Sequence, residues 1–176
     1  PLIGILQGNG EHGLRTVVGA EFRVHLVNKL DAPTTVHWHG LTPPSDQDGV
    51  PDLSQPPIAA DASQDYAFPL KRSGTYWMHS HVGYQEQLMY APLIIADPAD
   101  RRRDEQEVVV QLADFTFKAP EEIAASLRKG GMTGSGGMPG MKGMAHGAGM
   151  RREAKPDVND VDYDAYLAND RNLAEP

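Results

Sequence analysis

The sequence predicts an all-β sandwich or barrel over residues 1–113. Three observations carry this reading. Short runs of β-branched and aromatic residues alternate with turn residues as far as residue 113, and the composition changes sharply near residue 114. The chain is also 40% hydrophobic and 23% charged, within the range of soluble domains that bury a real core. Taken in order, Glu21 to Val27 alternates polar and apolar, with Phe22, Val24 and Leu26 on one face. Thr34 to His39 is β-branched and aromatic, and Gly40 with Pro43-Pro44 ends it. Asp65 to Leu70 reads as a further strand in which Pro69 marks an edge or an end. Lys71 to Gly74 turns the chain into Thr75 to His81. Leu93 to Ala96 and Glu107 to Leu112 read as buried strands, with a charged loop over 97–106 between them.

Beyond residue 113 the pattern changes. Residues 114–129 contain one short helix, with Pro120 in its first turn, Glu121 and Glu122 near the positive end, Arg128 and Lys129 near the negative end, and Gly130 as a stop. Residues 130–156 read as a flexible Gly/Met-rich linker; 130–150 alone hold nine of the 18 glycines and five of the seven methionines. Residues 157–176 are acidic and read as the approach to a further domain. A net charge of −8 disfavours nucleic acid and anionic lipid as partners. The longest apolar run, Ala91 to Ala96, is too short to span a membrane. Cysteine is absent, which excludes disulfides, thiolate metal sites and cysteine nucleophiles within this sequence.

The chemistry lies in the histidines. Four of the seven fall in two His-x-His pairs, His37-Trp38-His39 and His79-Ser80-His81. In a strand, residues i and i+2 share a face, so each pair presents two imidazoles side by side. Two such pairs, both on expected strands, point to a metal site. Imidazole suits copper, zinc, iron and nickel, and ligand count alone does not separate copper from zinc.

His37-Trp38-His39-Gly40 and Gly74-Thr75-Tyr76-Trp77-Met78-His79-Ser80-His81 resemble the first two copper motifs of multicopper oxidases. The likeness extends to Asp48-Gly49-Val50-Pro51 and to Gln85-Glu86-Gln87 running into Leu93 to Pro98. With the methionine-rich segment and Tyr163 to Leu167, the sequence is most similar to the periplasmic copper-resistance, laccase-like branch. The resemblance implies a cupredoxin-like Greek-key β-sandwich or barrel, the first of usually three. It implies that His37 ligates a type 2 copper and that His39, His79 and His81 ligate a type 3 pair. These residues would form half of a trinuclear copper cluster that reduces dioxygen to water. Asp48 takes the position of an acid that organises water and relays protons beside the cluster. The electron donor implied is Cu(I) or a small phenol, and the location periplasmic or secreted. The family's remaining histidine motifs and its type 1 copper cysteine do not occur here. The expectation is therefore an N-terminal part of a longer oxidase, inactive alone, whose other cupredoxin domains complete the site.

Other features have plainer readings. Met132, Met138, Met141, Met144, His146 and Met150 offer soft ligands for transient Cu(I) capture. Met78 and Met89 read as core, His12 and His25 as surface, and Arg101 to Arg103 as a solvated loop. Trp38 and Trp77 are expected to pack behind the histidine pairs. Two other functions fit the histidines: a non-enzymatic copper carrier with a hard and a soft site, and a mononuclear zinc or copper hydrolase-like barrel.

Overall fold

Alternating apolar and polar residues build two sheets that face one another across an aromatic core. A computed structural model describes residues 5–10, 12–82, 89–128, 161–172 and 174. Among the described residues the strands are β1 (Leu14–Val17), β2 (Glu21–Val27), β3 (Val36–His39), β4 (Ser63–Pro69), β5 (Gly74–Ser80), β6 (Tyr90–Ala96), β7 (Leu112–Phe115) and β8 (Ala165–Ala168), with one α-helix, α1 (Pro120–Arg128), and short 3-10 turns at Ser45–Gln47 and Asp100–Arg102. A four-stranded sheet runs in the order β1-β6-β5-β3, with β1 parallel to β6 and the other pairs antiparallel. Facing it is the antiparallel pair β2-β4, with Phe22 opposite Phe68 and Val24 opposite Tyr66. The chain changes sheet at each step from β1 to β5 and closes the larger sheet with β6, the sandwich of the cupredoxin fold.

Phe22, Tyr66 and Phe68 project from the small sheet towards Trp38 of β3. The Phe22–Trp38, Phe22–Phe68 and Trp38–Tyr66 ring centroids are each 4.9 Å apart. Met78, Ala91, Leu93 and Ile95 complete this core from the larger sheet. Met89 is buried too, and His25 is exposed beside Asp65, so the plain readings of these residues hold. Pro69 ends β4, where its missing N–H costs no ladder bond.

One expectation fails. Glu107 to Leu112 is not a buried strand: residues 104–111 form no regular element, β7 begins only at Leu112, and Val108, Val110 and Leu112 are 68%, 56% and 71% exposed. The reason is that β-propensity needs a covering face, and both sheets of the sandwich bury their inner faces without this segment. Side chains tether it instead. Arg15 pairs with Glu107, and Asn169 donates from Nδ2 to the Val109 carbonyl and accepts from the Gln111 N–H. The sequence reading also lacked β1, a four-residue strand that takes its conformation from the exposed edge of β6.

The chain divides into two compact units, Pro1–Phe115 with Tyr166–Pro176, and Thr116–Ala165. In the second, the Asp164 carboxylate accepts from the Phe117 N–H and the Thr116 hydroxyl, both at 2.8 Å, which holds its pKa below the ordinary value. Helix α1 has the expected polarity, with Glu121 and Glu122 in its first turn and Arg128 in its last. Met132, Met138, Met141, Met144, His146 and Met150 lie outside the described residues, as does the rest of the linker. No helix among the described residues is long and apolar enough to cross a membrane.

Candidate metal centre

The site follows from strand periodicity. Val36 and Trp38 take the core face of β3, so His37 and His39 stand on the opposite face. The antiparallel register with β5 sets His37 across from His79 and His39 across from Trp77. His81 follows just past the end of β5, on the same side as His79. The His37 ring centroid lies 5.5 Å from His39, 5.5 Å from His79 and 5.6 Å from His81. His79 likewise lies 5.4 Å from His39 and 5.8 Å from His81, so His37 and His79 each touch the other three rings. Ligand nitrogens of His37, His39 and His79 all lie within 4.8 Å of one another.

Two ring orientations are fixed by main-chain carbonyls. His37 Nδ1 lies 2.7 Å from the Asp48 carbonyl oxygen, and His79 Nδ1 lies 2.8 Å from that of Ser80. A carbonyl only accepts, so both Nδ1 atoms carry the proton, and both Nε2 atoms keep a lone pair. His39 Nδ1 approaches His79 Nε2 at 3.2 Å, a distance that a proton on His39 or a cation between the rings satisfies. Burial, the largest cause, and the neighbouring imidazoles lower the His79 pKa to about 4, against the opposing effect of its bond to Ser80. The ring is 5% exposed and neutral at physiological pH, as a metal ligand must be.

The surroundings sort the other expectations. Trp77 stacks on His39 (4.8 Å, 29°) and on His79 (4.2 Å, 22°), so it limits the motion of both rings. Trp38 points to the core side of the sheet and meets Phe22 and Tyr66. Asp48 Oδ1 lies 3.4 Å from His37 Nδ1. Gly40 permits a close approach to Tyr76: its φ is +88°, and a Cβ there would lie 2.9 Å from the Tyr76 ring. Sequence reasoning missed the two carbonyl acceptors, because backbone groups carry no residue signature. It also missed Tyr90, which stands across from His79 in the ladder and donates its hydroxyl to Asp170 Oδ1 at 3.3 Å. Burial, then the Asp170 charge, raises the Tyr90 pKa and keeps the phenol protonated. His12 is exposed as expected, yet donates from Nε2 to the Tyr90 carbonyl at 2.7 Å.

The profile of the multicopper oxidase family matches residues 12–100, a stretch that contains both histidine pairs. The chain belongs to this family. It is 41% identical over 118 residues to a copper resistance protein A homolog from Pseudomonas syringae pv. tomato, covering 66% of this chain and 20% of that protein. It is 32% identical over 163 residues to the multicopper oxidase MmcO of Mycobacterium tuberculosis, covering 90% of this chain and 32% of that one. Among solved structures, the laccase from Botrytis aclada aligns with a TM-score of 0.59 at 34% identity, over 68% of this chain and 24% of the laccase. The chain spans about a fifth of the length of the copper resistance proteins it matches. Its donor set suits copper: imidazoles converge, and two of them have their second nitrogen anchored on a carbonyl.

Proposed function

We propose that this chain is the N-terminal part of a periplasmic multicopper oxidase and supplies half the ligands of its oxygen-reducing copper cluster. The convergence of His39, His79 and His81 on His37 is the observation that carries the proposal. His37 serves the type 2 copper and His39, His79 and His81 the type 3 pair, as the family resemblance implies. Copper held there supplies one-electron chemistry and the four-electron reduction of dioxygen to water. The residues of this chain hold and orient. The two carbonyls keep the Nε2 lone pairs of His37 and His79 directed at the site, and Trp77 restrains the rings of His39 and His79. The Asp48 carboxylate, partly solvent-exposed and close to His37, accepts a hydrogen bond from water at Oδ1 and hands protons inward. His39 and His81 are exposed, which suits a site completed by the remaining cupredoxin domains of the same protein. Cu(I) or a small phenol is the electron donor.

The decisive experiment uses the full-length oxidase. His39→Ala should abolish oxygen uptake while the type 1 copper remains reducible, as followed by its visible absorption. Normal oxygen uptake in that variant would remove these histidines from the cluster.

A further inference from the structure

The carbonyl of Asp48 reaches His37 because of the residue that follows it. Gly49 is buried, has a φ of +77°, and lies so close to β3 that a Cβ would stand 1.9 Å from the Val36 carbonyl oxygen and 2.9 Å from the His37 nitrogen. Both obstacles are backbone, so no side-chain adjustment relieves them, and the positive φ is itself unfavourable for an L-residue with a side chain. The turn pressed against β3 is tied both within itself and to β4. Asp48 N–H donates to the Ser45 carbonyl, Gln47 Oε1 accepts the Ala67 N–H at 2.6 Å, and Ser54 Oγ accepts the Val50 N–H at 2.7 Å. The loop therefore has little freedom to follow a displaced His37.

We propose that Gly49 is a positioning residue for the copper site: its missing side chain seats the Asp48 main-chain carbonyl on His37 Nδ1, which fixes the tautomer that presents Nε2. This inference rests on the assignment of His37 as a metal ligand, and it separates two functions within one dipeptide. The carbonyl of Asp48 sets the ligand atom of His37. Its carboxylate, 3.4 Å from the same nitrogen against 2.7 Å for the carbonyl, is left for solvent and protons.

The test is nitrogen-15 NMR of the imidazoles in the metal-free full-length protein at pH 8, where ordinary histidines are neutral. Wild-type His37 should be the Nδ1–H tautomer, and Asp48→Asn should leave it so, because the carbonyl remains. Gly49→Ala should give a mixture of tautomers and bind Cu(II) about 10–100-fold more weakly in competition with a chelator. If Gly49→Ala does not fold, one glycine inserted between Asp48 and Gly49 displaces the carbonyl without adding a Cβ, and the same mixture is expected. An Nε2–H tautomer in the wild type overturns the inference, as does an unchanged Nδ1–H tautomer in whichever displaced variant folds. A wild-type protein with the Nδ1–H tautomer whose His37→Ala variant keeps its full copper content instead overturns the metal-site assignment, so the two failures are distinct.

Discussion

At His79, Nδ1 is committed to the Ser80 carbonyl and the ring is sealed among other imidazoles, so the folded chain refuses a proton that the unfolded chain accepts. The folded pKa of about 4 lies below the unfolded value of about 6.5. The contribution of this group to stability is therefore complete above about pH 6.5 and is lost progressively as pH falls towards 4. Between pH 7.5 and 5 the metal-free chain should lose about 2 kcal/mol more stability than His79→Gln, measured by urea denaturation at both pH values. Parallel losses would show that His79 is not held neutral. Asp48 carries a different prediction. Asp48→Asn in the full-length oxidase should retain copper, because the carbonyl still orients His37. Its turnover should fall, most steeply at high pH where external protons are scarce. Oxygen uptake across the pH range with copper content measured in parallel decides this, and wild-type turnover throughout would reduce Asp48 to a turn residue.

The larger sheet divides its work between two faces, and the two tryptophans beside the histidines, Trp38 on β3 and Trp77 on β5, fall on opposite ones. Trp38 is 1% exposed at the centre of the aromatic core, so Trp38→Ala should cost about 3–5 kcal/mol in denaturant unfolding. Trp77→Leu should cost only about 0.5–1.5 kcal/mol, the value of its stacking. It should nevertheless alter the Cu(II) EPR spectrum, because the rings of His39 and His79 lose their common support. Equal destabilisation by both, with an unchanged spectrum, would place Trp77 in the core and out of the site. The period-2 alternation of β2 was legible in the sequence, as were β3, β4 and β5 from their β-branched and aromatic runs, and with β3 the shared face of His37 and His39. What was not legible depends on partners distant in the chain. β1 exists because β6 offers an edge, residues 104–111 lack one, and the carbonyls of Asp48 and Ser80 act through positions that any residue's backbone could fill.

For the molecule as a whole, the core cluster among the described residues is drawn from residues no later than Ile95. Deleting residues 130–150 from the full-length oxidase should leave the melting temperature of this domain nearly unchanged, since closure entropy varies slowly with loop length. Oxidation of Cu(I) should slow while oxidation of a phenol hardly changes, because thioethers favour the soft ion. Steady-state kinetics on both substrates test this, and equal loss on both would assign the segment to domain contacts instead. The order of strands has a further consequence, in time rather than space. β6 occupies an inner position of the larger sheet, flanked by β1 and β5, yet it is the last of those four strands in the chain. During synthesis β3 and β5 can pair and bring His37 opposite His79 while β1, whose partner is not yet made, still waits. Pairing between segments so far apart is slow. Pulse-labelled hydrogen exchange during refolding is expected to protect the β3–β5 ladder before the amides of β1. On that order the histidines meet early in a pliable two-stranded ladder, and the late arrival of β6 turns that pair into a rigid mount.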